Sequence, residues 1–376
     1  MKQTVFQLPQ VRILGRHVPT DGALTLFYTA SGIECLCTGS ELWLELNADY
    51  AQYEPWLSIE LNGAWLSRFP VSPGRSRVCV FRGMTPGTPK RVRVLKDVQA
   101  MHDDPRHLVQ ITALCWENGD FLPLPAPRYR LEFVGDSITS GEGAIGARGE
   151  EDWVPAFFSA MNHYGRMTAD RLQAEYRLVS QSGWGILSSW DNRPECRVLA
   201  YYDKVCGVAA GARNAALGAG QPNDFAAWPA DAVIVNLGTN DVSALHNPAW
   251  TDPVTGRTFQ QTDTPENRAA LARAVGDGLA MLRRCNPGAL LVWAYGMLGA
   301  ELRPTLEEAV ARYCRESGDA RARFLPLPPT EAADFGARHH PGVTAHRRAA
   351  DTLAAFLERA LAGQSPQGKP AEKDNR

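Results

Sequence analysis

The sequence predicts an α/β protein in two parts: an N-terminal β-sandwich, then a parallel sheet with helices on both faces. Three observations carry this. Residues 1–126 are a series of short β-rich runs punctuated by Gly, Pro, Asn and Asp, the pattern of an all-β sandwich. From residue 127 onward, apolar runs alternate with helix-length stretches, the pattern of a parallel sheet. Between them the proline-rich stretch Phe121–Arg128 (FLPLPAPR) reads as a linker or strap.

In the first part, strands are expected at Leu24–Thr29, Leu42–Leu46, Trp56–Leu61, Arg77–Phe81, Arg91–Lys96 and Val109–Cys115. In the second part, the apolar run Tyr129–Val134 leads into Gly-Asp-Ser. A helix near Tyr164–Glu175 and a short strand near Arg177–Val179 follow. Ala232–Asn236 reads as a buried strand ending in Leu-Gly-Thr-Asn-Asp. Then come a helix at Pro265–Arg284, a strand at Leu290–Ala294, a helix at Pro304–Arg315, a short strand at Arg323–Leu325 and a last helix at Val343–Leu361. The second domain is thus 127–363, and the polar tail 364–376 is expected to be disordered.

A chain of 376 residues is long enough for two domains, each burying a core. Its 39 basic and 41 acidic residues leave a net charge of −2, which gives no reason to expect a nucleic acid or an anionic membrane as partner. No apolar stretch reaches the ~18 residues of a membrane-spanning helix. The N-terminus, MKQTVFQLPQVRILGR, has no apolar core and no small-residue cleavage site, so a cytoplasmic location is expected. The eight cysteines form no CxxC pair, argue against a zinc site, and are expected to be reduced.

Four polar clusters fall after the buried strands or in the loops between elements, at the sheet edge where ligands bind. The first, Gly135-Asp136-Ser137-Ile138-Thr139, puts a serine on a strand-to-helix turn; on its own it is also an ordinary helix N-cap. The second, Ser182-Gly183-Trp184-Gly185, can expose a backbone N–H to an anionic oxygen, or can be a plain turn. In the third, Gly238-Thr239-Asn240-Asp241, an asparagine amide can donate to an oxyanion, although Asn-Asp is also common turn chemistry. The fourth holds His339, His340 and His346 just before the last helix and offers a general base. Three histidines in eight residues also raise a metal site, but no thiol or carboxylate completes one.

The order of these clusters resembles the SGNH (GDSL-like) hydrolase superfamily over roughly residues 129–361. The resemblance implies that Ser137 is the nucleophile and His340, the histidine before proline, the base. It implies that the Ser137 and Gly183 N–H groups and the Asn240 amide form the oxyanion hole, with Gly185 as the alternative register to Gly183. A sandwich ahead of such a domain, with SGWGI and a short proline-rich junction, is similar to carbohydrate esterase family 2. Members of that family join a jelly-roll to an SGNH domain and remove O-acetyl groups from plant polysaccharides such as xylan or mannan, or from their oligosaccharides, without a cofactor.

One position departs from the superfamily pattern. Where an aspartate normally stands three residues before the histidine, this chain has Ala337. The nearest upstream acid, Asp334, reaches His340 only if the loop folds back at Gly336. Asp334 is therefore the candidate third member, against a Ser–His dyad whose histidine leans on a backbone carbonyl. Trp184, beside Gly183, either stacks on a sugar ring or packs in the core, while Trp153, Trp190 and Trp228 read as packing residues. The insert Gly141–Tyr164 either joins the cleft or forms a surface loop. Two rival readings stay open: a lysophospholipase or thioesterase with an apolar groove, and a carbohydrate-binding protein that has lost catalysis.

Overall fold

The computed structural model describes residues 1–20 and 22–362; the polar tail 364–376 lies outside the described residues. The first part is a sandwich of two antiparallel sheets. One sheet is centred on the pair Glu41–Asp49 and Leu108–Glu117, flanked by Gly74–Arg82, Lys2–Gln3 and Leu24–Thr25. The other runs Phe121–Leu122, Gly32–Cys37, Lys90–Lys96, Trp56–Leu61, Ala64–Pro70, with Arg12–Leu14 beside Gly32–Cys37. Strict alternation in Glu41–Asp49 sends Leu42, Leu44, Leu46 and Ala48 inward against Ile33, Val92 and Val94 of the facing sheet.

Two of the longer sandwich strands were not expected from the sequence, nor were the short Lys2–Gln3, Arg12–Leu14 and Phe121–Leu122, the last of which lies in the stretch read as a linker or strap. Gly32–Cys37 is buried along nearly its whole length, so it lacks the polar alternation of a half-buried strand. Ala64–Pro70 is an exposed edge strand whose apolar residues, Trp65 and Leu66 among them, do not alternate with polar ones. Leu24–Thr25 is shorter than the expected Leu24–Thr29.

The second part is a five-stranded parallel sheet in the order Glu175–Ser180, Arg130–Gly135, Ala232–Asn236, Leu290–Tyr295, Ala322–Pro326. The helices Pro265–Cys285 and Arg303–Ser317 cover one face through Leu271, Val275, Leu279 and Leu306. Tyr164–Arg171 and Val343–Leu361 cover the other through Ala169, Leu353 and Leu357. The first strand of this domain lies between the second and the third. That topological switch opens a crevice at the carboxyl ends of all three.

The two parts are joined by buried polar contacts. Arg16 forms a bidentate pair with Glu132 at 3.0 and 3.1 Å, and the Tyr202 hydroxyl donates to the same carboxylate. Asp97, at the end of a sandwich strand, pairs with Arg68 and accepts from the Ala160 N–H at 2.7 Å. The sandwich loop that follows is thereby fixed against the crevice.

Candidate active site

Glycine at 135 permits the turn that starts the site: a Cβ there would lie 2.1 Å from Thr139 Oγ1 and 2.8 Å from the Asn236 carbonyl. Asp136 caps the short helix Ser137–Ser140 by accepting from the Ile138 N–H at 3.0 Å, so the N-cap reading of Asp136 holds alongside the placement of Ser137. Ser137 opens the helix with its hydroxyl 2.8 Å from His340 Nε2. His340 Nδ1 lies 2.8 Å from the carbonyl oxygen of Arg338. A carbonyl can only accept, so Nδ1 carries the proton and Nε2 is left to accept from the serine. A hydroxyl on an imidazole held in this tautomer can lose its proton to Nε2 while attacking an electrophile.

Asp334 is not brought to His340; its carboxylate pairs with Arg348 at 2.6 Å. The loop does fold back at Gly336, whose N–H donates to the His340 carbonyl, but the acid ends up on the far side of the turn. The three histidines also diverge. His339 is exposed and faces Glu151 at 3.0 Å, whereas His346 is buried and accepts the Tyr164 N–H at 3.1 Å. Burial pushes His346 down to about 3.

The donors converge on the same place. Gly183 has a positive φ of 78°, and a Cβ there would meet the Trp190 ring at 2.9 Å. The neighbouring Ser182 N–H is already taken by Gln99 Oε1 at 2.7 Å, whereas the Gly183 N–H has no protein acceptor among the described residues. Gly185 does other work: a Cβ there would lie 2.5 Å from Asp241 Oδ2, because that carboxylate accepts from the Ile186 and Leu187 N–H groups at 2.8 Å each. The Gly-Thr-Asn-Asp cluster therefore braces the Ser-Gly-Trp-Gly loop. Asn240 Nδ2 donates to the Trp184 carbonyl at 3.0 Å and, over a longer 3.3 Å, to Asp136 Oδ2, which fixes the amide at the cleft wall. Burial, with Asp241 and Glu142 nearby, pushes the Asp136 carboxyl up to about 7.

The cleft above Ser137 has a volume of about 470 Å³. The sandwich supplies one wall through Tyr53, Gln99, His102 and Asp103, four residues without a motif and missed in the sequence. Of the tryptophans, Trp184 takes the packing alternative and Trp228 packs as expected, whereas Trp153 and Trp190 do not. Trp184 is buried, with the His102 and Tyr201 rings packed against it, so it is a core residue. Trp190, 51% exposed, and Trp153 line the cleft instead. Trp228 packs under Arg177 and donates to Glu175, as a packing residue does. The insert Gly141–Tyr164 belongs to the cleft, contributing Glu142 and Trp153.

The GDSL-like lipase/acylhydrolase family matches residues 133–348. A solved acetyl xylan esterase from the rumen bacterium Butyrivibrio proteoclasticus is 41% identical, with a TM-score of 0.91 over 94% of this chain and 95% of that one. A family two carbohydrate esterase from Clostridium thermocellum, solved with cellohexaose, shares the fold at 22% identity and a TM-score of 0.77, over 93% and 99% of the two chains. The cellulase/esterase CelE of Acetivibrio thermocellus is 24% identical over 89% of this chain but 38% of its own length. An acetylxylan esterase/glucomannan deacetylase of Cellvibrio japonicus is 26% identical over 62% of each. The chain thus spans less than two thirds of the length of these two relatives. On the family match and the shared two-domain architecture, the chain belongs to the GDSL-like lipase/acylhydrolase family and is built on the plan of carbohydrate esterase family 2.

Proposed function

We propose that the protein is a serine esterase that removes O-acetyl groups from carbohydrates, such as acetylated xylan or mannan and their oligosaccharides, through an acetyl-enzyme. The observation that carries this is the relay from Ser137 to His340 to the Arg338 carbonyl, at the floor of a cleft walled by both domains. The activities named for the relatives from Butyrivibrio and Cellvibrio support the acetyl group and the polysaccharide.

In the reaction, His340 Nε2 takes the Ser137 proton as Oγ bonds to the acetyl carbon. The oxyanion that forms is met by the Ser137 and Gly183 N–H groups, and by the Asn240 amide once it exchanges its long 3.3 Å bond to Asp136 for the oxyanion, a donor of this kind supplying about 3 kcal/mol in the transition state. Collapse breaks the bond to the sugar oxygen, which takes the proton from His340. Water then repeats the sequence on the acetyl-enzyme, releasing acetate and restoring Ser137. No step calls on a metal or cofactor.

The cleft lining favours a sugar over an acyl chain. Among the described residues it is lined by polar and aromatic side chains and by no Leu, Ile, Val or Met. A lysophospholipase or thioesterase needs an aliphatic groove, and an inert binding module has no use for a serine on an imidazole. All eight cysteines are free thiols, which supports action in a reducing compartment, the cytoplasm, on oligosaccharides already taken up. Among the described residues no helix is long and apolar enough to cross a membrane. Acetate release from acetylated xylan and glucomannan, followed by NMR and set against p-nitrophenyl octanoate, tests the proposal. Octanoate turned over faster than the acetylated glycans would overturn it.

A further inference from the structure

We propose that Glu142 is the acidic positioning residue of the Ser137–His340 pair, acting through Arg338 in place of the absent triad carboxylate. The proposal rests on the esterase reading of the site. Gly141, at φ +80°, ends the nucleophile helix and turns the chain directly into Glu142. The Glu142 N–H donates to the Ser137 carbonyl at 3.0 Å, so this acid is anchored to the nucleophile's own backbone. Its side chain is only 3% exposed, yet it borders the cleft. Oε1 accepts from Arg338 Nε at 2.9 Å and lies 3.9 Å from His340 Nε2.

Arg338 is the link to the histidine. It stands in the left-handed region, at φ 54° and ψ 38°, and His339 follows at φ 52°. Two successive non-glycine residues in that region persist only where their surroundings hold them. Three contacts from the Glu142–Glu151 segment do so: Glu142 on Nε, the Glu151 carbonyl on Nη1 at 2.7 Å, and the Glu150 carbonyl on the Arg338 N–H at 2.7 Å. The product of this conformation is the direction of the Arg338 carbonyl, which receives His340 Nδ1–H. One carboxylate thus ties the backbone that carries the nucleophile to the backbone that orients the base.

The same carboxylate faces the charge made during catalysis. When the Ser137 proton reaches Nε2, positive charge appears 3.9 Å from Glu142. The guanidinium of Arg338 offsets part of that attraction, so Glu142 acts more by orienting the imidazole than by neutralising it. Glu142 moves no proton. The pair sits at the cleft wall, beside the reacting nitrogen.

Glu142→Gln keeps the shape and removes the charge. The expected result is a fall in kcat of about ten- to a hundredfold, with KM within about threefold, the split of an interaction made in the transition state alone. The His340 Nδ1 proton should also lose its downfield NMR resonance, because the bond to Arg338 no longer excludes exchange. A kcat loss smaller than about tenfold, or a rise in KM at unchanged kcat, overturns the proposal. If Glu142→Gln does not fold, Arg338→Met breaks the same contact from the half-exposed side, and the same two criteria decide. Ser137→Ala separates this from the underlying reading. An active Ser137→Ala enzyme would sink the esterase site itself, whereas an inactive one beside a fully active Glu142→Gln would sink only the role of Glu142.

Discussion

The carbonyl oxygen of Arg338 lies 2.8 Å from His340 Nδ1, in the position a triad carboxylate would fill. A backbone acceptor fixes the tautomer of the imidazole but brings no negative charge to it. The acid nearest upstream, Asp334, spends its carboxylate on Arg348.

Asp334→Asn should therefore lower kcat less than about tenfold, where loss of a true triad aspartate costs about ten-thousandfold. The lost ion pair with a part-exposed arginine should change stability by about 0–1 kcal/mol. Kinetics at saturating substrate check this, and a thousandfold drop in a folded variant would contradict it.

Gln99 comes from the sandwich, and its Oε1 accepts from both the Ser182 N–H at 2.7 Å and Ser140 Oγ at 3.0 Å. Gln99→Met keeps the volume but leaves a buried donor unmet, at a cost of about 1–3 kcal/mol, and frees the turn that presents Gly183. The expected outcome is kcat reduced about tenfold or more at nearly constant KM. Unchanged kcat would show that the sandwich does not position the oxyanion loop.

Trp190 is the exposed aromatic of the cleft. Trp190→Ala should raise KM for an acetylated oligosaccharide about tenfold, from the loss of about 1.5 kcal/mol of ring contact. KM for p-nitrophenyl acetate, which has no sugar, should move much less. Equal effects on both substrates would mean that Trp190 only supports the loop.

Asp136 makes stability depend on pH. Burial raises its carboxyl from 3.8 to about 7 in the folded chain. Between those values the folded state keeps a proton that the unfolded state has released, so this group's contribution to stability falls as pH rises from about 4 to 7 and is level above. The swing is about 3–4 kcal/mol. Asp136→Asn removes it, so wild type should lose stability relative to the variant as pH rises through this window. Denaturant unfolding of both at pH 4 and pH 8 measures the difference; a constant gap would contradict the account.

Much of the site was legible because Ser137 and Asn240 each closely follow a buried apolar strand and Gly183 follows the neighbouring one, which places all three at one sheet edge. His340 was legible from its position before proline and the last helix. The other wall was not. Tyr53, Gln99 and His102 stand in sandwich loops, and only the packing of the two domains brings them to the serine. Trp184 and Trp190 share one loop, and which ring turns outward depends on the Trp184–Ser189 bridge and the Trp190 N–H to Gly183 carbonyl bond, neither visible as a pattern. Glu142 was hidden for another reason: in a Gly- and charge-rich insert, an acid reads as solvated until Arg338 is seen beside it.

Trapping the acetyl-enzyme shows which residue attacks the ester. Quenching the enzyme with acid during turnover of p-nitrophenyl acetate, digesting it and locating the acetyl group by mass spectrometry identifies the nucleophile. Acetyl is expected on Ser137, with no acetylated peptide or turnover from Ser137→Ala. Acetyl on another residue, or continued turnover by Ser137→Ala, would contradict it.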